Sequence, residues 1–322
     1  MTTIRVGVLR GGPSSEYHVS LETGKQVLEN LPLCYAPVDI LISRDGTWHV
    51  GGLPTKPQQV FRLVDVIFNA LHGQYGEDGT VQELLEHHKV PFTGSGRVAS
   101  ALAMQKHLAR AQYEQAALAV PRAVSIAEEE EPQTAVTHAV RLLPPPWIVK
   151  PAAAGSSVGI TKTTQPAMLP GAIASAREHS AVVLIEECIQ GRELTCGVLE
   201  HFRGEKQYAL PAIEIIPKNK ERLFDFTAKY DGSTKEICPA PLVPEIKTAV
   251  AGLAKRAHEL LGCRDYSRSD MILTPKGKLY LLETNTLPGL TKESLLPKAA
   301  SAIGLSFPKL LDHLLRLASE RR

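Results

Sequence analysis

Several features are missing from the 322-residue sequence, and each absence excludes a class of protein. The five cysteines are odd in number and contain no Cys-x-x-Cys pair, which argues against both a disulfide framework and a zinc site. No apolar run approaches the length of a membrane-spanning helix, and the N-terminus lacks the apolar core of a signal peptide. We therefore expect a cytoplasmic protein with no membrane partner.

An excess of one charge is also missing. Lys and Arg number 36 against 34 Asp and Glu, so the formal net charge is +2, which gives no electrostatic reason to expect a nucleic-acid partner. Hydrophobic residues make up 43% and charged residues 22%, as in ordinary globular proteins. A chain of this length predicts two or three domains.

Two common nucleotide-binding signatures are absent as well. The glycine turn at 10–16 lacks Gly-x-Gly-x-x-Gly, and the small-residue loop at 151–160 lacks the terminal Gly-Lys-Ser/Thr of a P-loop. The second loop is either a linker or a flap whose N-H and O-H groups cover phosphates.

The N-terminal third shows the pattern of a parallel α/β domain. A buried strand at 5–9 leads through the glycine turn into a helix, and a second strand at 64–70 is followed by the glycine-rich loop 71–80. Loops at the carboxyl edge of such a sheet bind ligands. Glu16 and Ser20 lie where helix capping is the default role, and His72 is either a structural hydrogen-bonding group or a ligand contact.

Residues 267–273 and 278–285 alternate in character around a Pro/Gly turn, which predicts a β-hairpin. We expect Asp270 to lie opposite Leu281 and Arg268 opposite Glu283, with Asn285 on the same face. Asp, Glu and Asn oxygens suit a hard cation such as Mg²⁺. The alternative is the solvated face of an edge hairpin.

Two further segments complete the pattern. A loop at 286–293 leads into a helix predicted to begin near Ser294, and the N-H groups of a helix start can bind a carboxylate. Earlier in the chain, helical spacing predicts one long helix over 98–119 that carries Lys106 and Arg110.

Taken together, these stretches resemble the D-alanine-D-alanine ligase family of the ATP-grasp superfamily along essentially the whole chain. The matching motifs are Gly11-Gly12 with Ser15-Glu16, Leu71-His72-Gly73 with Gly76-Glu77-Asp78-Gly79-Thr80, Ala103-Met104 with Lys106, Val149-Lys150-Pro151, Gly155-Ser156-Ser157-Val158-Gly159, Lys229-Tyr230, Arg268 with Asp270, and Glu283-x-Asn285-Thr286 with Pro288-Gly289. Their number and order make chance an untenable explanation.

The resemblance implies an α/β and α+β fold. An N-terminal parallel α/β (preATP-grasp) substrate domain, residues 1–97, would precede a two-lobed ATP-grasp domain. Its central lobe would span 98–190, and its C-terminal lobe, 191–322, would hold the metal and second-substrate sites. The resemblance also implies a homodimer formed through the first domain.

It further implies an ATP-dependent ligation of two D-alanines, through a D-alanyl phosphate, for peptidoglycan precursor synthesis. One alternative is a ligase of the same fold whose second substrate is D-serine or D-lactate, although Tyr230 argues against D-lactate. The other is a nucleotide-binding regulator without catalysis.

The resemblance assigns roles residue by residue. Two Mg²⁺ or Mn²⁺ ions would be held by Asp270, Glu283 and Asn285. ATP would be bound by Lys106, Lys150, Ser157, Glu186, Glu187, Ile189, Glu193 and Lys229. The catalytic groups would be Glu16, Ser156, Tyr230, Arg268 and Gly289. The substrate would be contacted by His72, Ser294 and Leu295. The sequence departs from the family's usual residues at Arg10, Gln105, Arg110 and Ala152–Ala154, and the last of these leaves the nucleotide affinity of the phosphate loop open.

Overall fold

The computed structural model describes residues 3–153, 155, 158–217 and 234–321. Its strands form three sheets, each from its own stretch of chain. None of the helices in the described ranges is long and apolar enough to cross a membrane.

The first sheet is mainly parallel, as the sequence predicts, with the order β4-β3-β2-β1-β5. Both β2 and β5 pair with β1 in parallel, whereas β3 and β4 add an antiparallel edge. Side chains of β1 alternate between two cores, because Val6 and Val8 enter one cluster and Leu9 the other. The elements are β1 (Ile4–Gly11), α1 (Tyr17–Asn30), β2 (Tyr35–Ile42), β3 (Trp48–Val50), β4 (Leu53–Pro54), α2 (Pro57–Val60), β5 (Val66–Asn69) and α3 (Thr80–His87).

The second sheet is antiparallel, with the order β6-β9-β7-β8. Two helices pack on it around Trp147, which is fully buried. The elements are β6 (Ala123–Ile126), α6 (Pro132–Leu142), β7 (Trp147–Pro151), β8 (Thr161–Thr163), a 3₁₀ turn (Pro166–Met168), α7 (Leu169–Arg177) and β9 (Val183–Glu187).

The third sheet carries the predicted hairpin at its edge, with the order β13-β12-β10-β14-β15 and β11 on β10. Val250 and Ala254 of the long helix α8 pack on Leu194 and Met271 of this sheet. The elements are β10 (Arg192–Phe202), β11 (Glu205–Ala209), β12 (Ile213–Pro217), β13 (Thr234–Ile237), α8 (Pro244–Leu260), β14 (Tyr266–Leu273) and β15 (Leu279–Asn285).

The chain then returns to the first sheet through α9 (Leu295–Ser301) and α10 (Phe307–Glu320). Leu310, Leu311, Leu314 and Leu315 of α10 are fully buried in the same cluster as Val6. The amphipathic pattern of α10 therefore serves a core that lies far away in sequence.

The prediction of one long helix over 98–119 is wrong. The structure has α4 (Arg97–Met104) and α5 (Lys106–Gln115), and the break falls at Gln105, with φ −86° and ψ 87°. The N-H of Lys106 donates to the carbonyl of Ala152 at 2.8 Å instead of to a carbonyl of the preceding turn. The break thus places Lys106 at the start of a helix beside the second sheet.

Candidate active site

The hairpin forms with a register that differs from the predicted one. Asp270 lies opposite Glu283, and Arg268 lies opposite Asn285. Met271 pairs with Leu281, so the extra residue between the two pairs, Leu282, produces a β-bulge. The predicted partners of Arg268 and Asp270 are therefore wrong.

The bulge decides which side chains face the site. Continuing the register of the Met271–Leu281 pair would place Thr284, not Glu283, on the face of Asp270. The inserted residue restores Glu283 and Asn285 to that face, so the predicted convergence of four polar groups is confirmed although the pairing is not.

Asp270 is held from two sides. Nε and one terminal nitrogen of Arg268 each donate to its carboxylate at 2.9 Å, and Thr195 Oγ1 donates to it at 2.6 Å. Burial would lower the pKa of Arg268, but Asp270 and Glu283 outweigh it and raise that pKa above its ordinary value. The guanidinium therefore stays charged inside the protein.

The oxygen donors of the hairpin fit a hard cation. Glu283 lies 3.5 Å from Lys106 Nζ, and Asn285 Oδ1 accepts from the N-H of Leu287 at 2.8 Å. Across the described part of the chain, no three His, Cys, Asp or Glu side chains cluster as a metal cage. Two carboxylates and an amide suit Mg²⁺, which takes its remaining ligands from water and phosphate oxygens.

A cavity of about 630 Å³ opens in front of this face. It brings together predicted site residues from both ends of the chain. They are Glu16, His72, Lys106, Arg268, Glu283, Asn285, Gly289, Ser294 and Leu295.

Glu16 does not cap α1, although it occupies the N-cap position, because its side chain makes no capping hydrogen bond. Its carboxylate lies instead against Gly73 and Gly155. Ser20 lies inside the helix and is not a cap either: it accepts from the N-H of Gly11 and donates to the carbonyl of Ala70, both at 2.8 Å. The default capping interpretation is wrong for both residues.

His72 is buried in the lining of the cavity, where Nε2 lies 2.9 Å from Thr23 Oγ1 and Nδ1 lies 3.5 Å from Glu77 Oε1. Burial would lower its pKa, but Glu77, with help from Glu16, outweighs it and raises the pKa above the ordinary histidine value. Both of the roles left open by the sequence are compatible with this position.

Ser294 is the N-cap of α9, as predicted, and Leu295 is the first helical residue. Ser294 Oγ accepts from the N-H of Thr291 at 3.0 Å. A Cβ on Gly289 would lie 2.8 Å from Ser294 Oγ, so a larger residue at 289 would force the Ser294 hydroxyl to move.

The other predicted ATP-binding residues that lie within the described ranges are treated as a second group, and they do not line the cavity. Lys150 Nζ lies 2.7 Å from Glu186, and both side chains are buried. Glu187 binds Arg122, whose donors outweigh burial and lower the pKa of this carboxyl. Ile189 follows β9, and Glu193 lies in β10.

Comparison with known proteins identifies the family. The N-terminal model of D-ala D-ala ligases matches residues 52–95, and the C-terminal model matches residues 113–316. The chain belongs to the D-alanine-D-alanine ligase family. It is 41% identical over 321 residues to the D-alanine-D-alanine ligase of Desulfotalea psychrophila, covering 99% of this chain and 96% of the relative. The Geobacter sulfurreducens ligase is 40% identical, with 98% and 94% covered.

Solved structures show the same ATP-grasp fold. The VanG D-Ala:D-Ser ligase of Enterococcus faecalis superimposes with a TM-score of 0.88 at 32% identity, covering 98% of this chain and 100% of that one. The Bacillus anthracis D-alanine-D-alanine ligase complexed with ATP gives 0.80 at 29% identity, with 99% and 98% covered.

Some predicted site residues of this ligase-family chain fall outside the described residues. They are Ser156, Ser157, Lys229 and Tyr230. Among the departures, Arg10 forms an ion pair with Asp39 at 2.6 Å, and a terminal nitrogen of Arg110 lies 3.9 Å from Glu186.

Sequence reasoning missed several residues that the structure places around the site, among them Glu77 and Thr195. Glu77, which contacts His72, also accepts from the N-H of Gly73 at 2.8 Å. Glu77 lies in the matched motif Gly76-Glu77-Asp78-Gly79-Thr80, so the resemblance to the family could have identified it as a site residue. Thr195 lies directly opposite Asp270 on β10, 75 positions away, and nothing local in the sequence indicates that pairing.

Proposed function

We propose that this protein joins two D-alanines to D-alanyl-D-alanine, with ATP converted to ADP and phosphate, for peptidoglycan precursor synthesis. Membership of the ligase family over the whole chain supports the reaction class. The observation that carries the proposal is one cavity in which Glu283, Asn285 and Arg268 of the hairpin meet Glu16 and Ser294.

The proposed chemistry has two steps. A carboxylate oxygen of the first D-alanine attacks the terminal phosphorus of ATP, which forms a mixed anhydride and releases ADP. The amine of the second D-alanine then attacks the acyl carbon, loses a proton and expels inorganic phosphate, forming the peptide bond. Such a sequence depends mainly on positioning and charge neutralisation.

Asp270, Glu283 and Asn285 would hold Mg²⁺ or Mn²⁺, with two ions as the family resemblance implies. Bound there, the metal neutralises charge on the phosphate oxygens and aligns them for transfer. Lys106, which faces Glu283, would hold phosphate oxygens beside the metal together with Lys150 and Lys229.

The nucleoside would occupy the second group of residues. Glu186, Glu187 and Ile189 lie at the end of β9, where backbone groups can meet an adenine edge, and Glu193 would contact the ribose hydroxyls. Ser157, from the phosphate loop, would cover the phosphates. We assign these roles on the motif match to the family.

The two D-alanines would lie in the cavity itself. Glu16 would bind the ammonium group of the first, while Ser294 Oγ and the N-H of Leu295 would bind the carboxylate of the second. Arg268 and the N-H of Gly289 would stabilise the oxyanion of the tetrahedral intermediate, where one donor contributes about 3 kcal/mol. Ser156 and Tyr230 would order the attacking amine, and His72 would border its subsite.

The proposal includes three points on organisation. We propose domains at 1–97, 98–190 and 191–322, which is supported by one sheet in each segment. We propose a homodimer formed through the first domain, which sedimentation equilibrium tests. We propose a cytoplasmic location, supported by five free cysteines, which are typical of a reducing compartment, and by the need for ATP.

The function is tested by product identification. Purified protein receives ATP, Mg²⁺ and an equimolar mixture of D-alanine, D-serine and D-lactate, and mass spectrometry identifies the products. We expect D-alanyl-D-alanine to dominate at neutral pH. A dominant mixed dipeptide or depsipeptide would replace the assignment with the related ligase, and nucleotide binding without any product would favour the regulator.

A further inference from the structure

Three hydroxyl groups form a chain behind the metal-binding face of the hairpin. Tyr113 Oη donates to Thr284 Oγ1 at 2.9 Å, and Thr284 Oγ1 lies 2.9 Å from Ser269 Oγ. All three side chains are buried, with exposed fractions of 1%, 3% and 0%. Because Thr284 accepts from Tyr113, its own proton can be donated to Ser269, and such chains strengthen each member bond.

Two of the three hydroxyl residues, Ser269 and Thr284, alternate with the site residues along the two strands of the hairpin. Ser269 and Thr284 are direct partners in the ladder, and each is flanked by two polar residues that face the other way. Ser269 separates Arg268 from Asp270 in the sequence. Thr284 likewise separates Glu283 from Asn285, so a shift of this one pair moves all four site groups.

The pair also lies at a weak point of the ladder. The bulge at Leu282 interrupts regular pairing between Met271 and Asp270, and slippage by one residue would turn Glu283 away from the site. Asp270 and Glu283 form the first pair after that interruption, and Ser269 and Thr284 form the second. A side-chain hydrogen bond there favours one register over the other.

Tyr113 connects this pair to α5. The first residue of α5 is Lys106, whose Nζ lies 3.5 Å from Glu283. The helix and the hairpin therefore meet twice, once through buried hydroxyls and once at the site. Tyr113 also packs among Ala109 and Leu281, and burial raises the pKa of its phenol, which remains a proton donor.

We propose that Tyr113, Thr284 and Ser269 are positioning residues that hold the metal-binding hairpin in register and at a fixed distance from Lys106. The inference rests on the proposed function, because it assigns these hydroxyls to support of the metal-nucleotide site. None of the three belongs to the residues to which we assign the substrate or the metal, although Thr284 also lines the cavity.

The test measures metal binding directly. Electron paramagnetic resonance of free Mn²⁺ gives the amount of ion bound with a non-hydrolysable ATP analogue, after subtraction of the ion that the analogue binds without protein. Thr284→Val and Tyr113→Phe remove a hydroxyl at nearly constant volume, and we expect each to weaken Mn²⁺ binding about 10-fold, as for other residues that orient metal ligands. Thr284→Ser keeps the hydroxyl and should bind Mn²⁺ within about 2-fold of the unchanged protein.

A matched control separates positioning from general stability. Val136→Ala makes a cavity in the core of the second sheet, remote from the hairpin, and should lower Tm without changing Mn²⁺ binding. If Thr284→Val and Tyr113→Phe bind Mn²⁺ as tightly as the unchanged protein, the inference is overturned while the proposed function stands. Failure of the unchanged protein to bind Mn²⁺ with the nucleotide would overturn both.

Discussion

Arg268 and Asp270 are the residues on which the site's electrostatics depend. Each carboxylate oxygen of Asp270 accepts from the guanidinium, and Glu283 adds a second negative charge nearby. The cation is thus retained in a buried position where it can receive developing negative charge. Removing either member of such a pair leaves the other buried without its counter-charge.

Glu283→Gln tests the metal role at this scale. Glutamine keeps the size of the side chain but loses the charge that attracts Mg²⁺. Residues that only orient metal ligands contribute about 10–100-fold to activity, so for a direct ligand we expect the turnover number to fall by more than about 100-fold. Steady-state kinetics and circular dichroism measure turnover and folding. Glu293→Gln, at an exposed carboxylate on the rim, should leave turnover unchanged. Near-normal turnover of the first variant would contradict the metal assignment.

The raised pKa of His72 predicts a pH-dependent stability. Protonation is favoured in the folded state, so the stabilising contribution is fully present below the unfolded pKa of about 6.5 and is lost as pH rises through the folded value. Glutamine does not titrate, so His72→Gln serves as the reference. The unchanged protein should exceed the variant in Tm by more at pH 5.5 than at pH 9. A difference that grows with pH would show that the shift has the opposite sign.

Individual site residues were predictable where they lie in one short span. Arg268, Glu283 and Asn285 share a hairpin whose alternation is visible in the sequence, and the structure places them on one face. Thr195 was not predictable, because its contact with Asp270 arises from the pairing of two strands distant in sequence. Tyr113 was missed for the same reason.

At the scale of elements, the hairpin shows what alternation can and cannot predict. The strands and their polar face were predictable, but the register was not, because a bulge at Leu282 has no clear signal in the residues around it. The helix pattern over 98–119 likewise continues through Gln105. At the break, the N-H of Lys106 donates to the carbonyl of Ala152, which is a tertiary contact that the helical spacing cannot show.

Gly11 is the last residue of β1, where the chain turns towards α1, and its replacement tests this turn. Its φ is +91°, and a Cβ there would overlap the carbonyl oxygen of Ile42. We expect Gly11→Ala to destabilise the protein by more than about 3 kcal/mol, as the sum of left-handed backbone strain of about 1–2 kcal/mol and the overlap. Urea denaturation measures the free energy of unfolding.

Gly46 provides the matched control for this variant. It has a φ of +84°, but open space surrounds the position of its missing Cβ. Gly46→Ala should therefore cost only the backbone strain of about 1–2 kcal/mol. Equal losses for the two variants would show that the carbonyl of Ile42 does not limit the turn.

At the scale of the whole molecule, Arg321, which follows α10, connects segments that are distant in the sequence. Arg321 forms an ion pair with Asp265, which is fully buried, and donates to the carbonyl of Phe92 at 2.8 Å. Asp265 also accepts from the N-H of Gly94 at 2.7 Å. This contact joins the end of the chain, the exit from the first sheet and the start of β14, which carries Arg268.

Arg321→Met tests this connection. The buried carboxylate of Asp265 would lose the guanidinium that pairs with it, while Arg264 stays nearby, so we expect the free energy of unfolding to fall by about 3 kcal/mol. Arg256→Met removes an exposed ion pair with Glu259 and should change it by less than about 1 kcal/mol. Similar effects of both substitutions in urea denaturation would contradict this connecting role.

The division of the strands into successive sheets was broadly predictable, because each sheet is built from strands that follow one another in the sequence. The packing between stretches was not. Leu310 and Leu314 predict an amphipathic helix, but nothing in their spacing shows that its partner is the strand holding Val6. Local patterns fix which face is apolar, whereas the core that covers it depends on the whole topology.

The most direct test of the account uses D-alanine labelled with ¹⁸O in both carboxylate oxygens. If ATP phosphorylates the carboxylate before the peptide bond forms, the oxygen that bridges carbon and phosphorus leaves with the phosphate. Mass spectrometry should then find one ¹⁸O in each inorganic phosphate released and none in ADP. Unlabelled phosphate, or label in AMP, would show that the carboxylate is not activated by phosphoryl transfer and would contradict the central claim.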